Sequence, residues 1–431
     1  MTIAALYDLY RQSSGVTTDT RSVPANAIFF ALKGERFNGN TFAAAALQAG
    51  AAYAVIDEPQ VVEPTLASRL ILVGDVLKTL QELSAWHRQQ LKCPVIAITG
   101  SNGKTTTKEL LATVLSRKFK TVATKGNLNN HIGIPLTLLS IPLDTEMAIV
   151  EMGANHQQEI AGYCLYARPD FGLITNIGKA HLEGFGGEEG VFKGKTELFH
   201  FLANLHGKLF VFSGEPKLLS LAKQLFPNDH VLTYGAEQDD WVSAHGTVVN
   251  GMLVVEVNGL HVATQLVGGY NFPNVMAAWC VGKYFGVSEM DMQQAIEQYV
   301  PTNNRSQKVS WKSNTIILDA YNANPSSMAE ALRNFTQLEG DNKMVVLGEM
   351  KELGAAAPEE HLRIARQAAD MPLKYRVFLG SAFSFLENKP GFIWFAEKDQ
   401  LKFWFRSQGF QQMQILIKGS RANGLEQLLV D

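Results

Sequence analysis

Residues Thr99-Gly100-Ser101-Asn102-Gly103-Lys104-Thr105-Thr106 combine two glycines, a lysine and a run of hydroxyls at a spacing suited to phosphate. The apolar run Pro94-Val95-Ile96-Ala97-Ile98 before them predicts a strand, and residues 105–117 after them predict a helix. A glycine turn between strand and helix aims backbone N–H groups at one point, and the helix N-terminus adds partial positive charge. Lys104 can then reach the outer phosphates of a nucleotide, and the Thr105 hydroxyl can ligate Mg²⁺. The general G-x-x-x-x-G-K-[ST] spacing is not met, because Ile98 stands where its first glycine would be. A Gly-Asn turn followed by chance by Lys-Thr would call for neither the strand nor the helix. Nucleotide binding is the reading this context supports.

Two further residues fall where a sheet-borne site gathers its ligands, at the carboxyl ends of strands. Glu151 ends the run Ala148-Ile149-Val150 and could hold Mg²⁺ against phosphates. His181 lies just beyond the next apolar run, within Thr175-Asn176-Ile177-Gly178-Lys179-Ala180-His181. Alone, the first is an ordinary strand-end carboxylate and the second a structural histidine. Beside the phosphate loop they become parts of one Mg-nucleotide site.

These residues need elements to carry them. Residues 1–85 mix β-type runs (Ala27–Leu32, Ala52–Ile56) with an alanine-rich helix over 41–49 that Gly50 ends, a small α/β module. From Cys93 the pattern becomes strand, loop, helix, with strands at Met147–Met152 and Phe171–Thr175 around a helical stretch at 156–166, which predicts a parallel sheet over a domain of 86–300. A third unit, 301–431, carries strands at 315–318, 344–347, 376–379 and 414–417 with helices between them. The fold class is α/β in three domains: a small N-terminal module, a central P-loop parallel-sheet domain and a C-terminal Rossmann-like domain. A chain of 431 residues suits that division. No internal repeat or low-complexity tract interrupts it.

Composition narrows the function. The net charge of -3 points to neither a nucleic-acid nor a membrane-surface partner. The widely separated Cys93, Cys164 and Cys280 read as reduced core thiols, not as metal ligands or a disulfide framework. Met1–Gly15 contains Asp8 and lacks a basic stretch leading into an apolar one, and no run approaches the roughly 18 apolar residues of a membrane span. A cytoplasmic protein is expected.

The octapeptide is similar to the short P-loop of the Mur ligase family. Further segments carry the same resemblance in order along nearly the whole chain: residues 126–135 with Asn129 and Asn130, Glu151-Met152-Gly153-Ala154, residues 175–184, the asparagine-rich 319–328, residues 346–354, and Lys418-Gly419-Ser420-Arg421-Ala422. The last motifs resemble the branch of that family that joins D-alanyl-D-alanine to UDP-N-acetylmuramoyl-tripeptide. Implied are an acyl phosphate made from ATP, two Mg²⁺ ions, a monomer, and no nucleic acid.

Residue roles follow from the same resemblance. Gly100 to Thr106 and Asn271 imply ATP binding, joined by Arg305, Asp319 and Tyr321 from the C-terminal domain. Thr105 and Glu151 match ligands of one Mg²⁺. His181 matches a ligand of the other, with Lys195 as a CO₂-derived carbamate; Lys193 is the competing lysine. Thr18, Asp19, Thr20 and Arg21 match the UDP-binding module, in which Asn40 replaces a common histidine. Asn129, Asn130, Asn322, Asn324, Lys418, Ser420 and Arg421 imply contacts to the peptide substrates. The rival readings are a related amide ligase (a sister enzyme of the same family or a folylpolyglutamate synthase), a P-loop motor or switch that forms no amide, and a nucleotide-binding scaffold without turnover.

Overall fold

The structure, a computed structural model, describes residues 1–59, 64–302 and 304–430. Its three larger sheets follow one another along the chain, with a two-stranded ribbon, Lys33–Gly34 and Phe37–Asn38, in the first domain. Strands Val16–Thr17, Ile28–Phe30, Tyr53–Ile56 and Leu70–Leu72 lie side by side in that order, all parallel. Beneath them runs the helix Val76–Gln90, whose Asp75 N-cap accepts from the Lys78 amide. Leu80 and Leu83 of this helix pack into the first core. The other end of the helix belongs to the second domain: Arg88 Nε donates to Ala167 O at 3.0 Å and its Nη2 meets Asp170 at 2.9 Å. The boundary placed at residue 85 from sequence therefore falls within a continuous helix, and the change of sheet comes between Leu72 and Val95.

The central sheet has nine strands. Val95–Thr99 sits between Phe171–Ile174 and Met147–Glu151, parallel to both, so that three strand ends converge. Thr121–Ala123 forms one edge; Lys208–Phe212 and Val231–Gly235 continue the parallel array the other way. Val242–Val249, Met252–Val257 and Leu260–Val267 then close it as an antiparallel meander. The sequence reading passed over this meander, although its turns, Asn250-Gly251 and Asn258-Gly259, carry the strongest short hairpin signal there is. Both residues of each pair take positive φ, as a two-residue hairpin turn of this kind requires.

In the C-terminal domain Asn314–Asp319, Gln414–Lys418, Lys343–Gly348, Tyr375–Leu379 and Ile393–Phe395 are parallel neighbours in that order, with Gln307–Trp311 antiparallel on the edge. The chain leaves Asp319 and Gly348 on either side of the Lys418 strand, which opens a crevice at the carboxyl ends. All four strands expected from sequence are present, one or two residues longer; both edge strands were missed.

Two apolar layers clamp the central sheet. The helix Lys104–Leu115 packs Leu110, Leu111 and Val114 against the strands and against the almost wholly buried helix Phe272–Tyr284. Since Leu110 is fully buried beneath the phosphate loop, Leu110→Ala should lower the local stability of that helix by about 2–5 kcal/mol, the usual range for a cavity of this kind. Native-state hydrogen exchange of the amides of residues 104–115 measures it without assuming that three domains unfold together.

Candidate active site

The phosphate loop is shaped by close contacts on both glycines. Gly100 has φ +136°, and a Cβ there would stand 2.0 Å from Thr175 Oγ1; Gly103 has φ +80°, with a Cβ 2.5 Å from Asn274 Oδ1. Only glycine meets both conditions. Asn176 fastens the loop from the neighbouring strand end. Its carbonyl accepts from Ser101 N at 3.0 Å, its Oδ1 accepts from Asn102 N at 3.0 Å, and its Nδ2 donates to Asn102 O at 3.1 Å.

Lys104 folds back over this loop, its Nζ donating to Gly100 O at 2.6 Å and to Ser101 O at 3.3 Å. Burial brings its pKa down to about 8, although Glu151 pulls the other way. Glu151 is buried at the end of its strand and receives Thr105 Oγ1 at 3.0 and 3.2 Å and Asn129 Nδ2 at 2.7 Å. Lys108 Nζ lies 3.9 Å away. The hydroxyl and the carboxylate that sequence assigned to Mg²⁺ are thus in contact and face one cavity. Hard oxygen donors of this kind, with phosphate and water completing the shell, suit Mg²⁺. Among the described residues no group of three His, Cys, Asp or Glu side chains could hold a metal by itself.

That cavity, of about 660 Å³, lies between the central and C-terminal domains. It is lined by Ser101 to Thr106, Asn129, Asn130, Glu151, His181 and Asn271 on one side. On the other are Arg305, Asp319, Tyr321, Asn322, Asn324, Lys418, Ser420 and Arg421. Residues more than 300 positions apart thus share one volume. Lys418 is buried and ion-paired with Asp319 in the adjacent strand register. Two guanidiniums lie over the Tyr321 ring, Arg305 at 3.8 Å and Arg421 at 5.3 Å from its centroid. Nε of Arg305 is buried and unpartnered among the described residues.

Several predicted residues do structural work as well. Asn271 Nδ2 donates to Val267 O at 2.9 Å and its Oδ1 accepts from Asn274. Asn130 Oδ1 accepts from the amides of Ile132 and Gly133. Asn324 caps the helix Pro325–Thr336 and also bridges the domains, donating to Asn102 Oδ1 at 2.7 Å. Asn322 Oδ1 accepts from Ala323 N, and Ser420 bonds Asn423.

Gly100 and Lys195 stand behind the cavity wall, and Thr18, Asp19, Thr20 and Arg21 lie away from it. Lys195 is fully buried; its Nζ donates to Ala154 O at 2.9 Å and sits 4.9 Å above the Phe185 ring. Burial, with the charge of Lys104, holds its pKa well below that of an ordinary lysine. Lys193 is on the surface, paired with Glu189 at 2.8 Å. In the first domain Arg21 and Asp19 form an exposed pair, which keeps the carboxyl down at about 2. Asn40 is buried and bonded to Asp57 at 2.8 Å. Sequence reasoning gave no role to Asn176, Asn274 or Glu352. The carboxyl-end rule that singled out Glu151 could have pointed to Glu352, four residues beyond its strand.

A phosphate loop on a parallel sheet, with an acidic strand end beside it and a second α/β domain closing the cavity, defines a three-domain P-loop protein whose nucleotide site is shared between domains. The chain belongs to the Mur ligase family. Models of the Mur ligase family catalytic domain, the Mur ligase middle domain and the Mur ligase glutamate ligase domain match residues 12–96, 98–282 and 304–384. It is similar to the UDP-N-acetylmuramoyl-tripeptide–D-alanyl-D-alanine ligase of Bacillus subtilis, 36% identical over 97% of this chain and 92% of that one. The crystal structure of MurF from Acinetobacter baumannii superposes with a TM-score of 0.86 at 30% identity, covering 98% of this chain and 97% of that one. MurF from Thermotoga maritima, solved with ADP, superposes at 0.84 with 26% identity and the same coverage.

The Lys104 geometry sets a pH dependence. Free Lys104 titrates at about 8; a bound phosphate favours the ammonium and raises that pKa. Nucleotide affinity should be flat below about pH 8 and fall as pH rises above it, by up to about a decade per pH unit until the bound-state pKa is reached. Calorimetric titration of ADP from about pH 7 to about 10 measures this. Lys104→Met should bind weakly throughout and lose the break near pH 8.

Proposed function

We propose that this protein uses ATP to join D-alanyl-D-alanine to UDP-N-acetylmuramoyl-tripeptide, giving the pentapeptide precursor of the bacterial cell wall. The observation that carries it is the shared cavity, in which the phosphate loop faces Asn322, Asn324, Lys418 and Arg421 of the C-terminal domain. A switch or motor needs the loop but has no use for a facing wall of amide and cationic groups.

The tripeptide's terminal carboxylate attacks the γ-phosphorus of ATP and ADP leaves. The amine of the dipeptide then attacks the acyl phosphate carbon, phosphate departs, and the amine loses a proton. Lys104 and the amides at the start of its helix hold the phosphates where charge develops. Asn271, on the wall beside the loop, is assigned to adenine. Thr105 and Glu151 would hold one Mg²⁺, and His181 with Lys195 as carbamate a second; bound there, the ions offset the negative charge of the transferring phosphoryl group. Arg305, Asp319 and Tyr321 close on the nucleotide with the C-terminal domain, and Arg421, Lys418 and Ser420 receive the peptides. A closed cavity also keeps water from the acyl phosphate. Thr18 to Arg21 are assigned to the uridine nucleotide on the first domain. The protein acts as a cytoplasmic monomer; no helix among the described residues is long and apolar enough to cross a membrane.

The two-step path has a direct test. With ATP and UDP-muramoyl-tripeptide but no dipeptide, hydroxylamine should trap the activated carboxyl as a hydroxamate, and sustained ATP turnover should need both peptides. Rapid ATP hydrolysis by the protein alone, indifferent to either peptide, would support the switch reading instead.

Lys195 carries the remaining proposal. Carbamylation joins a neutral amine to CO₂ with loss of a proton, and an amine held far below its usual pKa by burial is in the reactive form. Ala154 O can still accept from the carbamate N–H, while the contact with the Phe185 face is given up. Lys195→Ala should lose most ligase activity and recover part of it with acetate at high concentration. Rescue by small amines without rescue by acids would mean an ammonium role.

A further inference from the structure

Residues 178–183 belong to the central domain by chain order, yet much of their packing is with the C-terminal domain. Lys179 N donates to Ser326 Oγ at 3.0 Å, and its Nζ meets Glu360 at 2.8 Å. Leu182 packs against the C-terminal core. Glu183 N donates to Glu352 O at 3.3 Å, and a Cβ on Gly354 would already be 3.2 Å from the Glu183 side chain. At the centre of this seam the Glu352 carboxylate meets Nδ1 of His181. Both residues hold left-handed backbone conformations, φ +53° for His181 and +62° for Glu352. Such a conformation is costly for a residue with a side chain and persists where the surroundings impose it.

We infer that Glu352 is a positioning residue: carried by the C-terminal domain, it fixes the proton of His181 on Nδ1, so that docking of that domain leaves Nε2 as the ring atom available to a ligand in the cavity. The chemistry is one-sided. An ionised carboxylate only accepts, so the nitrogen it touches must carry the hydrogen. A metal-binding histidine is oriented in this way when its second nitrogen donates to a carboxylate. What is particular here is the origin of that carboxylate in the other domain: an undocked C-terminal domain leaves the ring free to turn and to exchange tautomers. Catalytic competence at His181 is thereby tied to closure, which also brings Asn324 to Asn102 and encloses the cavity. The inference rests on the metal role proposed for His181, but the tautomer arm of its test does not.

Long-range ¹H–¹⁵N spectra of the imidazoles in the metal-free, ¹⁵N-labelled protein report the tautomer, with His181→Asn identifying the signals. The wild type should show the proton on Nδ1. Glu352→Gln, whose amide oxygen still accepts, should keep it, whereas Glu352→Ala should give mixed or Nε2-protonated signals at an unchanged melting temperature. In the presence of ADP, Mn²⁺ affinity followed by electron paramagnetic resonance should fall roughly ten- to a hundredfold in the alanine variant and far less in the glutamine variant. An unaltered His181 tautomer in Glu352→Ala, or equal Mn²⁺ affinity in both variants and the wild type, would overturn the inference. Wild-type Mn²⁺ affinity in a His181→Ala variant would instead overturn the metal role of His181, with the tautomer spectra still deciding whether Glu352 positions the ring.

Discussion

Anionic reactants can be held in one cavity only if its walls offset their repulsion, and most of this molecule is arranged to that end. The central contribution comes from backbone, not from side chains: amides at the start of the helix Lys104–Leu115, directed by a loop that only glycine can form at Gly100 and Gly103. Directed dipoles of this kind need no reorganisation when charge develops, provided the loop cannot relax. Asn176 and Thr175 prevent relaxation from the adjacent strand, and the tightly packed sheet and helices behind them fix where those residues stand. Stability of the core and precision of the phosphate loop are one property.

Cationic side chains supply the rest, each held back until needed. Lys104 donates to carbonyls of its own loop and has a pKa near 8, so phosphate arrival would complete its charge. Lys418 is locked to Asp319, and Arg305 stacks on Tyr321 with its Nε unmatched. Burying so many polar groups would be unfavourable in a single-domain core. Dividing them between two domains lets most of them face a shared cavity, and the seam through Asn102, Lys179 and His181 joins the two walls.

What the sequence by itself determined is whatever local chemistry can specify. A glycine turn between an apolar run and a helix marks a phosphate loop because no distant contact is needed to define it. A carboxylate or histidine at a strand end can be placed near that loop once alternation of strands and helices implies a parallel sheet. The same reasoning reached Thr105 and Glu151, whereas Asp319 and Lys418 came only with the resemblance to a known family that the order of motifs along the chain carries. Even the overlooked meander was legible, in Asn250-Gly251 and Asn258-Gly259. Tertiary structure decided what depends on distance between remote residues. The helix Val76–Gln90 is shared by two domains because its two ends find different cores, a choice invisible in its own pattern. Lys195 and Lys193, two residues apart, part company because one faces the interior of its domain and the other faces solvent. Asn271 spends its amide on Val267 and Asn274 beside the cavity, and Glu352 finds His181 across 171 positions. Side-chain type and spacing announce which groups could act; only the packing of one domain against another settles which atom of each group is left free to do so.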